Sequence, residues 1–150
     1  MAYWLMKSEP NAFSIDDLAK VQIEPWDGVR NYQARNMMRD QMQIGDLVFF
    51  YHSNCKIPAI VGMMKIVKAG YVDNTAFDPD EKYYDPKSKP DSPRWYRVDV
   101  AFVEKFEQEI SLHTLKQQAE LADLALVRKG SRLSIMPVSE PEWQCILGLK

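Results

Sequence analysis

Five large apolar residues in a row, Leu47 to Tyr51, follow the turn residues Gly45 and Asp46 and stop at the polar triplet His52, Ser53, Asn54. A run this short, with turn signals on both sides, reads as a buried strand and not as a helix. Ile57 to Val72 follows as a predicted long strand, with Val61, Ile66 and Val67 as packing residues and Gly62 and Gly70 as bend or bulge positions. The two runs pair as a hairpin, so the chain is built around a sheet.

The remaining elements are short and mixed in type. Ala2 to Met6 reads as a strand that ends in a loop at Lys7, Ser8, Glu9 and Pro10, because proline cannot continue a central strand. Ser14 with Asp17 three residues later has the form of a capping box, which predicts a short helix over 14–20. Trp26, Asp27 and Gly28 read as a turn, and Tyr32, Arg35, Met38 and Met42 fall at helical spacing, predicting a second helix over 31–42. Arg94 to Phe106 alternates as a strand, and Ser111 opens a short helix. Residues 115–126 stay open between helix and loop. Leu133 to Pro137 reads as a short strand, and Ser139, Pro141 and Glu142 start a terminal helix with Trp143, Ile146 and Leu147 inward.

Between the strands, residues 73–93 carry Pro79, Pro86, Pro90 and Pro93 with six acids and three lysines, and read as a long excursion outside the core. Strands with few helices between them give an α+β domain on a small curved sheet or barrel. A chain of 150 residues without repeats or linkers is expected to be a single domain over 1–150, burying roughly 70% of its unfolded surface.

Several classes of function are disfavoured. The longest apolar run is far below the roughly 18 residues that span a bilayer, and the N-terminus has no basic segment followed by a long apolar one, so neither membrane anchoring nor secretion is expected. Cys55 and Cys145 form no metal spacing and no disulfide framework; a reduced cytoplasmic protein, or a nuclear one in a eukaryote, is the plain expectation. The glycines never fall in a phosphate-binding pattern. The acids of 73–91 lack calcium-loop spacing and read as solvated. No metal or cofactor is expected.

His52 with Ser53 or Cys55 is the best nucleophile and base grouping on offer, although no third group orients it, and His113 reads as a surface residue. The more informative pattern is polar side chains beside aromatics. Trp4 precedes Lys7 and Ser8; Trp26 precedes Arg30 and Asn31; Tyr51 precedes His52 and Ser53; Tyr83, Tyr84 and Trp95 flank Asp85 and Arg94. Converged in space, such groups make flat apolar walls with a few directional hydrogen-bonding groups, which suits a planar heterocycle such as a nucleobase. The same aromatics also fit a core with satisfied polar tips. Convergence depends on strand order, which local spacing does not encode.

Tyr3 to Pro10, Trp26 to Asn36, Phe49 to Cys55, Tyr83 to Ser88, the Trp95 strand and Arg132 to Ser134 together resemble, in order and over nearly the whole chain, the EVE domain family of the PUA-like superfamily. The resemblance implies an α+β, PUA-like mixed β pseudobarrel with surrounding short helices. It further implies a non-enzymatic reader of a modified base, methylated or hydroxymethylated cytosine in DNA or a modified RNA base, with a nuclease or restriction component as a partner in bacterial relatives. The matching positions nominate Trp4, Lys7, Ser8, Trp26, Arg30, Asn31, Tyr51, His52 and Ser53 for the pocket, Asp78, Tyr84 and Trp95 for its rim or wall, and Arg132 and Ser134 as buttresses. Within that set, Arg30, Asn31 and Ser53 are expected to bond the base edge, and Trp4, Trp26 and Tyr51 to stack.

Charge sets a limit on this expectation. Residues 1–70 carry eight basic and seven acidic groups, and residues 71–150 carry eleven and fourteen, so neither part has the electrostatic footprint of a strong phosphate binder. Selectivity would come from the pocket, with Lys7, Arg30, Arg35 and Arg39 as a local basic patch. The alternatives are a small-molecule or nucleotide-binding protein in which Lys7 and Arg30 hold an anion, and an enzyme with His52 as base and Ser53 or Cys55 as nucleophile.

Overall fold

The computed structural model describes residues 1–150. Six strands, β1 (Tyr3–Ser8), β2 (Ile23–Trp26), β3 (Leu47–His52), β4 (Ala59–Val72), β5 (Tyr96–Ser111) and β6 (Ile135–Val138), form one mixed sheet in the order β2-β5-β4-β3-β1-β6. β1 and β3 run parallel; every other neighbouring pair is antiparallel. Around the sheet lie α1 (Ile15–Val21), α2 (Tyr32–Asn36), α3 (Leu112–Lys116) and α4 (Glu140–Leu147), so the class is α+β with an open mixed sheet and short helices. No helix is long and apolar enough to cross a membrane.

The unbroken apolar run of β3 is explained by burial on both faces. Val48 and Phe50 enter one core cluster with Trp4 and Met6 of β1, while Phe49 and Tyr51 enter a second with Leu5. Alternate residues of a strand point to opposite faces, so a strand covered on both sides needs no polar alternation. α1 covers the first core with Ile15 and Leu18; α4 covers the second with Trp143 and Ile146, and Trp143 stacks on Phe49 at 3.8 Å.

Gly62 acts as the predicted bulge. Before it Ala59 and Val61 face the first core; after it Met64 and Ile66 do, so the facing parity changes by one residue. The ladder to β5 shifts at the same place, between Ile60 and Gly62, then between Met63 and Met64 and between Ile66 and Lys68, and again between Lys68 and Tyr71, across Gly70.

The predicted caps form as read. Ser14 accepts from the Asp17 N–H at 3.1 Å while the Asp17 carboxylate accepts from the Ser14 N–H at 2.9 Å, and Ser139 with Glu142 repeats the arrangement at α4.

Several boundaries differ from the sequence reading: β1 continues through Lys7 and Ser8, paired with Tyr51 and His52 of β3, where a loop was expected. Trp26 ends strand β2 instead of opening a turn; Pro25 is tolerated because β2 lies at the sheet edge and pairs only with β5. The helix over 31–42 is α2 followed by a π-helical turn, Met37–Gln41, with Asn31 as its N-cap. β5 runs on to Ser111 through an exposed charged stretch whose apolar signal is reduced to Phe106 and Ile110. Finally, the excursion over 73–93 is partly core: Asp73, Ala76 and Ser88 are buried.

Candidate functional site

Although three strands separate β2 from β1 in the sheet, residues of both line one cleft, because the sheet curls until its two ends approach. The cleft, of about 470 Å³, lies along that seam, within the usual range of roughly 300–1,000 Å³ for ligand sites. Lys7, Ser8 and Ser134 border it from the β1 and β6 side, Glu24 and Trp26 from β2, Phe13 from the turn before α1, and Tyr83 and Lys82 from the long excursion.

Trp26 is held edge-on by two rings, Phe50 at 5.5 Å and Phe13 at 6.4 Å, with interplanar angles of 83° and 86°. These contacts fix the indole plane without covering it by a stacked ring. Glu24 shares the face of β2 with Trp26, two residues away. Burial pushes the Glu24 carboxyl up, and the neighbouring Asp27 and Asp99 add to the effect. Burial likewise raises the Asp27 carboxyl, with Asp73 adding to it and Arg97, 3.7 Å away, opposing. Across the seam, burial pushes the Lys7 ammonium down.

The excursion is tied to the cleft by Arg30 and Asp73. Asp73 is wholly buried and accepts from the Gly28 N–H (2.9 Å), Arg30 Nη1 (3.0 Å), the Thr75 N–H (3.0 Å) and the Thr75 hydroxyl (2.6 Å). Burial alone would raise its carboxyl; the bonds from Thr75, Gly28 and Arg30 outweigh it and hold the group below the usual carboxylate range. Arg30 also donates to the carbonyls of Tyr83 and Val29 and to the Thr75 hydroxyl. All five guanidinium N–H groups are thereby engaged within the protein.

Of the residues nominated from the sequence, Lys7, Ser8, Trp26, Arg30 and the buttress Ser134 come together around the cleft. Arg30 does so as a clamp, its donors held by Asp73, Thr75, Val29 and Tyr83, where bonding of a base edge was expected. Trp4 is buried in the core, its indole N–H donating to Asp46 at 3.0 Å. Tyr51 is buried in the second core cluster, and desolvation raises its hydroxyl to about 12. Asn31 spends its side-chain oxygen on the Ala34 N–H as a helix cap.

His52 Nε2 accepts from the Ile15 N–H at 3.1 Å, and the Ser53 N–H donates to the Ser8 carbonyl at 3.0 Å. The Cys55 thiol bonds the carbonyl of His52 and not its ring, so the nucleophile and base grouping read from the sequence is not assembled. Trp95 is buried against Tyr32 and donates to Asp85 at 2.6 Å. Asp78 is exposed and caps a turn at Asp80, Tyr84 is exposed, and Arg132 is exposed outside the cleft.

The expected basic patch is also redistributed. Arg39 is paired with Asp40 at 2.8 Å and Arg35 is bonded to Asn36 and the Arg94 carbonyl, whereas Lys82 joins Lys7 at the cleft. Glu24, Asp27, Phe13 and Tyr83 also line the cleft, as does Glu9, whose carboxylate accepts from the Asn54 amide at 2.8 Å. The turn expected at Trp26, Asp27 and Gly28 hides the strand before it, although Glu24-x-Trp26 has the alternation that places both on one strand face, and Phe13 carries no local signal that brings it to Trp26.

A family model described as the EVE domain matches residues 2–149. Thymocyte nuclear protein 1 of Danio rerio is 46% identical, with 98% of this chain and 71% of that protein covered. The crystal structure of a Pseudomonas syringae protein superposes with a TM-score of 0.96 at 53% identity, covering 99% of each chain. The crystal structure of human THYN1 protein in complex with 5-methylcytosine-containing DNA superposes with a TM-score of 0.91 at 46% identity, covering 99% of this chain and 97% of that one.

Proposed function

The chain belongs to the EVE domain family, and from that premise we propose that it is a non-catalytic, single-domain reader of 5-methylcytosine in DNA, receiving the extruded base in the seam cleft. The observation that carries the reading is the Trp26 indole, fixed by two edge-on rings in the lining of a cleft that also holds both donor and acceptor side chains. A relative of 46% identity and TM-score 0.91 is bound to DNA containing that base.

A base inside a duplex cannot reach such a cleft; it has to leave the stack, and stacking on an indole offsets part of that cost by roughly 1–3 kcal/mol. Lys7 and Lys82 are the cations at the rim, few enough that phosphate contacts contribute little and the salt dependence is shallow.

The test is binding of the purified protein to matched short DNA and RNA oligonucleotides, each with one cytosine or one 5-methylcytosine, at two salt concentrations. Preference for methylated DNA is expected, with a loss of about 10- to 100-fold on Trp26→Ala while circular dichroism shows the fold intact. Equal binding of marked and unmarked DNA, or a Trp26→Ala protein that folds and binds as before, overturns the reading. Stronger binding to the RNA set moves the ligand class to RNA.

A further inference from the structure

Stacking alone does not separate one pyrimidine from another, since every base has a π-face. Selection of cytosine needs a group that reads the Watson–Crick edge, where cytosine presents an amino donor at C4 and thymine a carbonyl acceptor, the two sharing a carbonyl at C2. Resting on the base-reading proposal above, we infer that Glu24 is the residue that selects cytosine, its carboxylate accepting from the C4 amino group of a base lying on Trp26.

The observations are geometric. Glu24 and Trp26 stand two apart on edge strand β2, on the same face, and both line the cleft. The backbone of Glu24 is paired with Val100 of β5, but its carboxylate takes part in no hydrogen bond or ion pair within the protein, so the acceptor capacity of that side chain is unspent at the cleft. The neighbouring acid differs, because Asp27 shares its carboxylate with Arg97 at 3.7 Å. Opposite C4 a carboxylate accepts from the cytosine amino group and repels the thymine carbonyl; thymine's one edge donor is N3–H, so the separation of the two bases comes from the carboxylate standing at the C4 position.

Lys7 borders the cleft from the β1 side. Its ammonium can donate to a C2 carbonyl, which both pyrimidines have, and so contributes affinity without distinguishing them.

The experiment compares four DNA oligonucleotides identical except at one position, which carries 5-methylcytosine, thymine, cytosine or uracil. 5-Methylcytosine and thymine have the same methyl group and nearly the same stacking surface, so their ratio reads the edge, while 5-methylcytosine against cytosine reads the methyl. Wild type is expected to favour 5-methylcytosine over thymine by about tenfold or more. Glu24→Gln, whose amide can either accept or donate, should bring that ratio to within about threefold and leave the methyl ratio in place. Asp27→Asn should keep both ratios, and Lys7→Met should weaken all four ligands together.

A wild-type protein that prefers the methylated bases but treats 5-methylcytosine and thymine alike overturns the role of Glu24 and leaves the base-reading proposal standing. Retained edge discrimination in Glu24→Gln does the same. A wild-type protein with no preference among the four overturns the base reading itself. Thermal melts of each variant separate these outcomes from misfolding.

Discussion

Arg30 grips the carbonyl of Tyr83 with two donors at once, Nε at 3.1 Å and Nη2 at 2.7 Å, although 53 residues separate them in sequence. The same guanidinium reaches the buried Asp73 carboxylate with Nη1, and its Cζ lies 5.4 Å from the Trp95 ring centre. One side chain thus fastens the long excursion to the segment that follows β2 and sets where Tyr83 stands at the cleft.

Arg30→Lys keeps the charge but loses the fork, since an ammonium cannot span Tyr83, Asp73 and Thr75 together. Asp73, wholly buried, then loses one of its charge-assisted partners. Urea denaturation should show a loss of about 2–3 kcal/mol, with ligand affinity falling more than Lys7→Met alone reduces it, because a wall of the cleft is released. Unchanged stability would show that the excursion is anchored elsewhere.

Gly28 sits at φ +75°, and a Cβ there would run into the Tyr83 ring. Gly28→Ala therefore combines a left-handed backbone cost of about 1–2 kcal/mol with displacement of a cleft wall. The expected result is a lowered melting temperature and altered Tyr83 ring resonances in NMR spectra; a variant with wild-type ring shifts would show that the two do not touch in solution.

His52 supplies a pH dependence whose sign follows from its bond. Nε2 accepts from the Ile15 N–H, which requires the neutral ring. Burial lowers its pKa from the ordinary 6.5, outweighing Glu109 and Asp16, which act upward, while Lys105 acts downward. Below about 6.5 the unfolded chain takes up a proton that the folded one refuses, so stability is full above that value and is lost as pH falls through the folded pKa. NMR titration of the imidazole should give a midpoint below 6.5. A midpoint at or above it would mean that the bond to Ile15 is not maintained.

How far these features could be read in advance depends on whether they are local. Ser14, Ser111 and Ser139 cap their helices through contacts within three residues, and each was legible as spacing. Trp4 and Trp26 look alike in sequence, each an aromatic followed by a basic and a polar residue. Their fates diverge because Trp4 lies on interior strand β1 and finds Asp46 across 42 residues, whereas Trp26 ends an edge strand at the seam. Asp73 looked like one more acid of a solvated loop; only the fold supplies the donors that bury it. The proline in β2 concealed the strand, and with it Glu24.

Gly62 links sequence to the cleft over the longest path. A Cβ at this position would meet the Glu104 carbonyl of β5 and, at 2.9 Å, Cδ1 of Ile15, the first residue of α1. The carbonyl belongs to a paired strand and cannot retreat without opening the ladder. Accordingly, Gly62→Ala should cost about 3 kcal/mol, the upper end of overpacking effects. The Ile15 side chain has to give way as well, and Ile15 lies two residues from Phe13, which holds the Trp26 ring edge-on. Because the bulge also sets which residues after it face the first core, relief by slipping the register would turn Met64 and Ile66 to the wrong face. The expected outcome is a strongly lowered urea midpoint together with a changed Trp26 environment in the surviving folded fraction, read by indole NMR shifts. A protein of wild-type stability would show that β4 and β5 have room for a side chain at this crossing.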